Sequence, residues 1–109
     1  MLFSKQGNKN YKLLKDTIFS FWNDNVEIQE EKKIEIPVDA FEIYMQLYGR
    51  HKVLLEYETG TFALKLWTGE KYEYPDKFIN DKMVYGFDSM TPENIIHNFS
   101  VMDVALKTL

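Results

Sequence analysis

The sequence predicts an α+β fold: an antiparallel sheet of about four to five strands, built around a three-stranded meander and packed against three helices. Three observations carry this reading. Thr59-Gly60 and Thr68-Gly69 each lie between runs rich in β-formers, the usual mark of tight hairpins. The runs beside them alternate apolar and polar residues with a period of two. Elsewhere, apolar residues recur at three- and four-residue spacing between capping residues, which marks helices.

The first helix is expected from about Asn10 to Trp22, with Tyr11, Leu14, Ile18, Phe21 and Trp22 on one face. Asn23-Asp24-Asn25 ends it, because such side chains favour turns. Val26–Ile36 then reads as one long strand, or as two short ones around Glu30-Glu31-Lys32-Lys33. Its charged middle suits a sheet edge, where charge discourages pairing with other chains.

A second helix is expected between Asp39 and Gly49. Asp39 is a good N-cap, Glu42 completes a capping box, and Val38 and Ile43 occupy the positions of a hydrophobic staple. Phe41, Tyr44, Met45 and Tyr48 form its stripe, and Gly49 suits a left-handed C-terminal residue.

The meander follows as Lys52–Glu58, Thr61–Trp67 and Glu70–Tyr74. Val53, Leu55 and Tyr57 alternate with Leu54, Glu56 and Glu58, while Phe62, Leu64 and Leu66 alternate with Ala63, Lys65 and Trp67. One face is therefore apolar and the other mixes charge with large rings. Pro75-Asp76 breaks the sheet, and Met83–Phe87 is a further strand candidate. Thr91-Pro92, an N-cap followed by proline at the first helical position, opens a third helix to about Lys107. Its apolar line is Ile95, Phe99, Met102 and Leu106, although the residues after Phe99 also fit an extended segment.

At 109 residues, the whole chain (1–109) fits a single domain. Its 45% hydrophobic and 16% aromatic content is ample for a packed core. There is no cysteine, which excludes disulfides, thiolate zinc sites and a cysteine nucleophile together. No apolar run approaches the length of about 18 residues that spans a bilayer. Met1-Leu2-Phe3-Ser4-Lys5 lacks the apolar stretch of a signal peptide, so a cytoplasmic chain is the expectation.

The formal net charge of −4 is unevenly spread. Residues 1–25 carry four lysines against two aspartates, whereas residues 26–60 carry eight acids against four bases. An acidic balance disfavours general nucleic-acid binding, which relies on neutralising phosphate.

Catalytic motifs fail in turn. The glycines at 7, 49, 60, 69 and 86 have neither P-loop nor dinucleotide-fold spacing. His51 and His97 are isolated, so they supply neither a zinc set nor a visible acid–base pair. Glu56 and Glu58 share a strand face near Glu70 and Glu73, but Lys52, Lys65 and Lys71 stand ready to pair with them. No metal or cofactor is expected, and no enzymatic activity.

What remains is surface chemistry. Glu30, Glu31 and Glu35 lie on the expected edge strand, while Glu56, Glu58, Glu70 and Glu73 accompany Trp67, Tyr72 and Tyr74 on the meander. Carboxylates around exposed rings suit a basic protein, since charge speeds encounter and buried rings supply binding energy. The expectation is a non-enzymatic binding domain, most concretely a small acidic inhibitor of the immunity-protein or phage-inhibitor type. Its partner would be a basic toxin or nuclease. One alternative is a nucleic-acid-associated protein using Lys5, Lys9, Lys12 and Lys15; another is a ligand-binding or enzymatic pocket near His51 and Glu56/Glu58.

Overall fold

A computed structural model describes residues 5–34, 39–79 and 86–109. The first element is α1 (Lys5–Trp22), which begins a turn and a half earlier than the spacing of its apolar residues suggests. Its buried side chains include Leu14, Ile18 and Trp22. A single 3-10 turn, Asn23–Asn25, with Asn23 at φ +51°, redirects the chain. Asparagine tolerates that left-handed region better than most residues.

Next comes β1 (Val26–Ile34), one edge strand with a bulge between Ile28 and Glu30. It pairs with β2 (Ala40–Leu47), and here the sequence reading is corrected. The segment read as a second helix is a strand, so the described residues contain two helices rather than three. Phe41, Ile43, Met45 and Leu47 are buried and alternate with half-buried Glu42, Tyr44 and Gln46. Such period-two burial fits a strand enclosed between two neighbours. Val38 of the expected staple lies outside the described residues.

Gly49 does adopt a positive φ, +69°, beside Tyr48 at +55°. It serves the loop joining β2 to β3 (His51–Glu58) rather than a helix end. Both structures demand a left-handed residue. The hairpin from β3 to β4 (Thr61–Trp67) turns at Thr59-Gly60, where both φ values are positive, as a two-residue type I′ turn requires.

The last meander strand is shorter than expected: β5 is only Tyr72–Glu73, and Glu70 lies in the preceding turn. There Thr68 Oγ1 accepts hydrogen bonds from the Glu70 and Lys71 amides, each at 3.2 Å. Of the expected strand at 83–87, residues 83–85 lie outside the described set, and Gly86 and Phe87 are not in a strand. The short β6 (Asp88–Ser89) follows and pairs with the start of β4, while β5 pairs with its end. The sheet therefore runs β1-β2-β3-β4 in antiparallel order, with β5 and β6 sharing the far side of β4.

The final element, α2 (Pro92–Lys107), is helical throughout, and Thr91 Oγ1 caps the Asn94 amide at 3.2 Å. Both helices pack on one face of the sheet. The core joins Leu14, Ile18 and Trp22 of α1 and Ile95, Phe99 and Met102 of α2 to the odd-numbered residues of β2 and β3 and the even-numbered residues of β4. Trp22 stacks on Phe99 at 4.9 Å, and Phe41 stacks on Tyr57 at 4.5 Å. No described helix is long and apolar enough to cross a membrane.

Candidate functional site: the helix-free face of the sheet

Side chains alternate across a strand, so burying one set against the helices turns the other set to the opposite face. On that face the register places Glu27, Glu30 and Lys32 of β1, Glu42, Tyr44 and Gln46 of β2, and Lys52, Leu54, Glu56 and Glu58 of β3. Ala63, Lys65 and Trp67 of β4 and Tyr72 of β5 complete it. Leu54 is only 5% exposed, because Tyr44 and Lys65 flank it on the two adjoining strands.

The rings form a chain across this surface. Trp67, 37% exposed, lies 5.0 Å from Tyr72, and Tyr72 meets Tyr44 edge-on at 5.9 Å. Lys32 Nζ sits 5.2 Å from the centre of the Tyr44 ring, and Lys65 Nζ sits 5.1 Å from that of Tyr74. These tyrosine faces already hold ammonium groups, which the negative face of an aromatic ring attracts.

The carboxylates divide into bound and free. Glu56 Oε1 is 2.8 Å from Lys65 Nζ, and the hydrogen bond to this carboxylate, with its charge, raises the Lys65 pKa against the opposing effect of burial. Burial, followed by the charge of Glu42 and the hydrogen bond to it, pushes Tyr44 up to about 12. Glu73 points to the helix side, opposite Leu66, and is held by Lys77 at 2.6 Å and Lys71 at 3.6 Å. Glu31 also lies on the helix side, where it accepts a short hydrogen bond from the Tyr11 hydroxyl and pairs with Lys15 at 3.2 Å. Glu30, Glu58 and Glu70 are exposed and make no ion pair among the described residues. Glu35 lies outside those residues.

The structure thus brings together Trp67, Tyr72, Glu56, Glu58 and Glu30 on one face, with Tyr74 at its edge. It separates Glu31 and Glu73 from that face and leaves Glu70 on the adjoining turn. Tyr44 joins the site unannounced. Its signal was the alternation of 41, 43, 45 and 47 with 42, 44 and 46, masked by the helical stripe.

The residues expected to share a pocket, His51 with Glu56 and Glu58, lie on opposite faces of the sheet. His51 opens β3 on the helix side, while both glutamates face the other way and lie farther along the strand. No group of three or more metal-binding side chains occurs among the described residues. Lys5, Lys9 and Lys12 are exposed along the outward side of α1, with Lys12 paired to Asp16 at 2.8 Å. No protein-family model, curated protein or solved structure matches this chain.

Proposed function

We propose that the helix-free face of the sheet docks a basic protein and that the chain acts as its inhibitor, in the manner of a small toxin- or nuclease-neutralising protein. The observation carrying this reading is the ring chain Tyr44–Tyr72–Trp67, half-exposed over a buried Leu54. Aromatic side chains on a shielded apolar floor supply most of the energy of a protein contact. Five glutamates against three lysines on the same face favour a cationic partner. Lys32 and Lys65 already rest over the Tyr44 and Tyr74 rings, so the exposed Trp67 ring is the one offered to a partner's lysine or arginine. Because Glu56 and Glu73 are already paired, the rings carry more of this proposal than the acids do.

The test is a pull-down with wild type beside a Trp67→Ala/Tyr72→Ala double variant, followed by assay of the recovered protein's own activity. The proposal requires a basic partner that the variant fails to retain and that the wild type inactivates. An acidic partner, or equal recovery by both baits, refutes it.

A further inference from the structure

A second feature lies on the helix side, at the end of the molecule where the β2–β3 loop meets the end of α2. Tyr48, Arg50, His51, Leu106, Lys107 and Leu109 line a hollow of about 230 Å³. In a chain of net charge −4, this spot gathers three basic side chains and no acidic one, and the one anion of its lining is the α-carboxylate of Leu109. Apolar walls with a few converging polar groups are the usual make-up of a small-ligand site.

The charge state of the lining selects the ligand. Lys107 is already engaged, with its ammonium 2.9 Å from Asp103 Oδ2. His51 is held below its ordinary pKa by burial and then by the neighbouring Arg50, so at neutral pH it offers a neutral N–H donor. Arg50 is exposed and makes no ion pair among the described residues. Its guanidinium is therefore within ion-pair distance of no described carboxylate, that of Leu109 included, and its planar fork matches a carboxylate. Leu106, Leu109 and the Tyr48 ring supply apolar contact beside it. The hollow is smaller than the roughly 300 Å³ at the low end of drug-sized pockets, which suits a compact ligand.

We propose that this hollow binds a small monoanionic carboxylate bearing a hydrocarbon group, with Arg50 taking the carboxylate and Leu106, Leu109 and Tyr48 covering the hydrocarbon. The site is separate from the sheet face and independent of the inhibitor reading.

Benzoate tests it, with benzyl alcohol, acetate and inorganic phosphate as comparisons, each titrated into the ¹⁵N-labelled full chain. For a ligand of about nine non-hydrogen atoms, a dissociation constant on the order of 1 mM is expected. Benzoate should move the amides of 48–52 and 105–109 saturably. Benzyl alcohol, lacking the charge, should bind about tenfold more weakly or worse. Acetate, lacking the ring, should also bind more weakly. Arg50→Gln should lose benzoate by a similar factor while keeping the wild-type amide dispersion, because the side chain it removes is exposed. Equal affinity for benzyl alcohol, unchanged binding in Arg50→Gln, or no saturable shift at those amides overturns the proposal. Tighter binding of phosphate than of benzoate overturns the carboxylate assignment.

Discussion

The Trp22 indole N–H donates to Asp103 Oδ1 at 3.0 Å, joining residues 81 positions apart in the chain. The same carboxylate accepts from the Tyr48 hydroxyl at 2.5 Å and pairs with Lys107 at 2.9 Å. One side chain thus ties the end of α1, the β2–β3 loop and α2 together, and the Trp22 ring it anchors is 1% exposed. Asp103→Ala removes the acceptor and leaves the indole donor unpaired at the core boundary. Such a loss costs about 2–3 kcal/mol. Urea unfolding should register that fall with little change in slope, and a loss below about 0.5 kcal/mol, the usual range for a surface substitution, refutes the anchoring role.

Acid should find the same residue. Burial disfavours the Asp103 carboxylate, but hydrogen bonds from Tyr48, Lys107 and Trp22 outweigh it and hold its pKa below the ordinary 3.8. A depressed folded value means that the unfolded chain binds the proton more readily. The stability is therefore complete above the unfolded pKa and disappears as pH falls through the folded one. His51 acts in a higher window: its pKa is lowered by burial and then by Arg50, so stability begins to fall as pH drops through its ordinary 6.5. Urea midpoints measured from pH 8 downward should show a shallow decline at the histidine and a steeper one in strong acid. His51→Gln should erase the first and Asp103→Asn should flatten the second.

Turns and end signals were the most legible part of the sequence. Thr59-Gly60 and Thr91-Pro92 mark a hairpin and a helix start through local backbone chemistry, and both lie where that chemistry places them. Asp39–Gly49 shows where local signals run out. Asp39, Glu42 and Gly49 all speak for a helix, yet Phe41, Ile43, Tyr44 and Met45 sit equally well in a strand. Pairing with β1 on one side and β3 on the other decides between them, and neither partner is visible within the segment. The same misreading hid Tyr44 from the candidate site. Trp67 was legible as an outward-facing ring because the alternation in β4 was unambiguous.

The Thr59-Gly60 turn leaves stability unclaimed. Thr59 sits at φ +40°, where a β-branched side chain is strained, and Gly60 sits at +83°. A type I′ turn favours Asn-Gly at these positions. Thr59→Asn should stabilise the protein by about 0.5–1 kcal/mol, because asparagine tolerates the left-handed region. Gly60→Ala should destabilise by about 1–2 kcal/mol for the opposite reason, although open space surrounds the missing side chain. Thermal unfolding of both variants checks the pair, and the signs must differ.

The two tryptophans separate the core from the candidate docking face. Trp22 is 1% exposed and Trp67 is 37% exposed, so a neutral collisional quencher should reach the second and not the first. Trp67→Phe should remove nearly all of the quenchable emission. It should cost less than about 1 kcal/mol of stability, as expected for a partly exposed ring outside the core. A partner that docks on the sheet buries the Trp67 ring, so its addition to wild type should reduce quenching toward the level of Trp67→Phe. A bound partner that leaves Trp67 as accessible as before contacts some other surface, and the ring chain then loses its part in recognition.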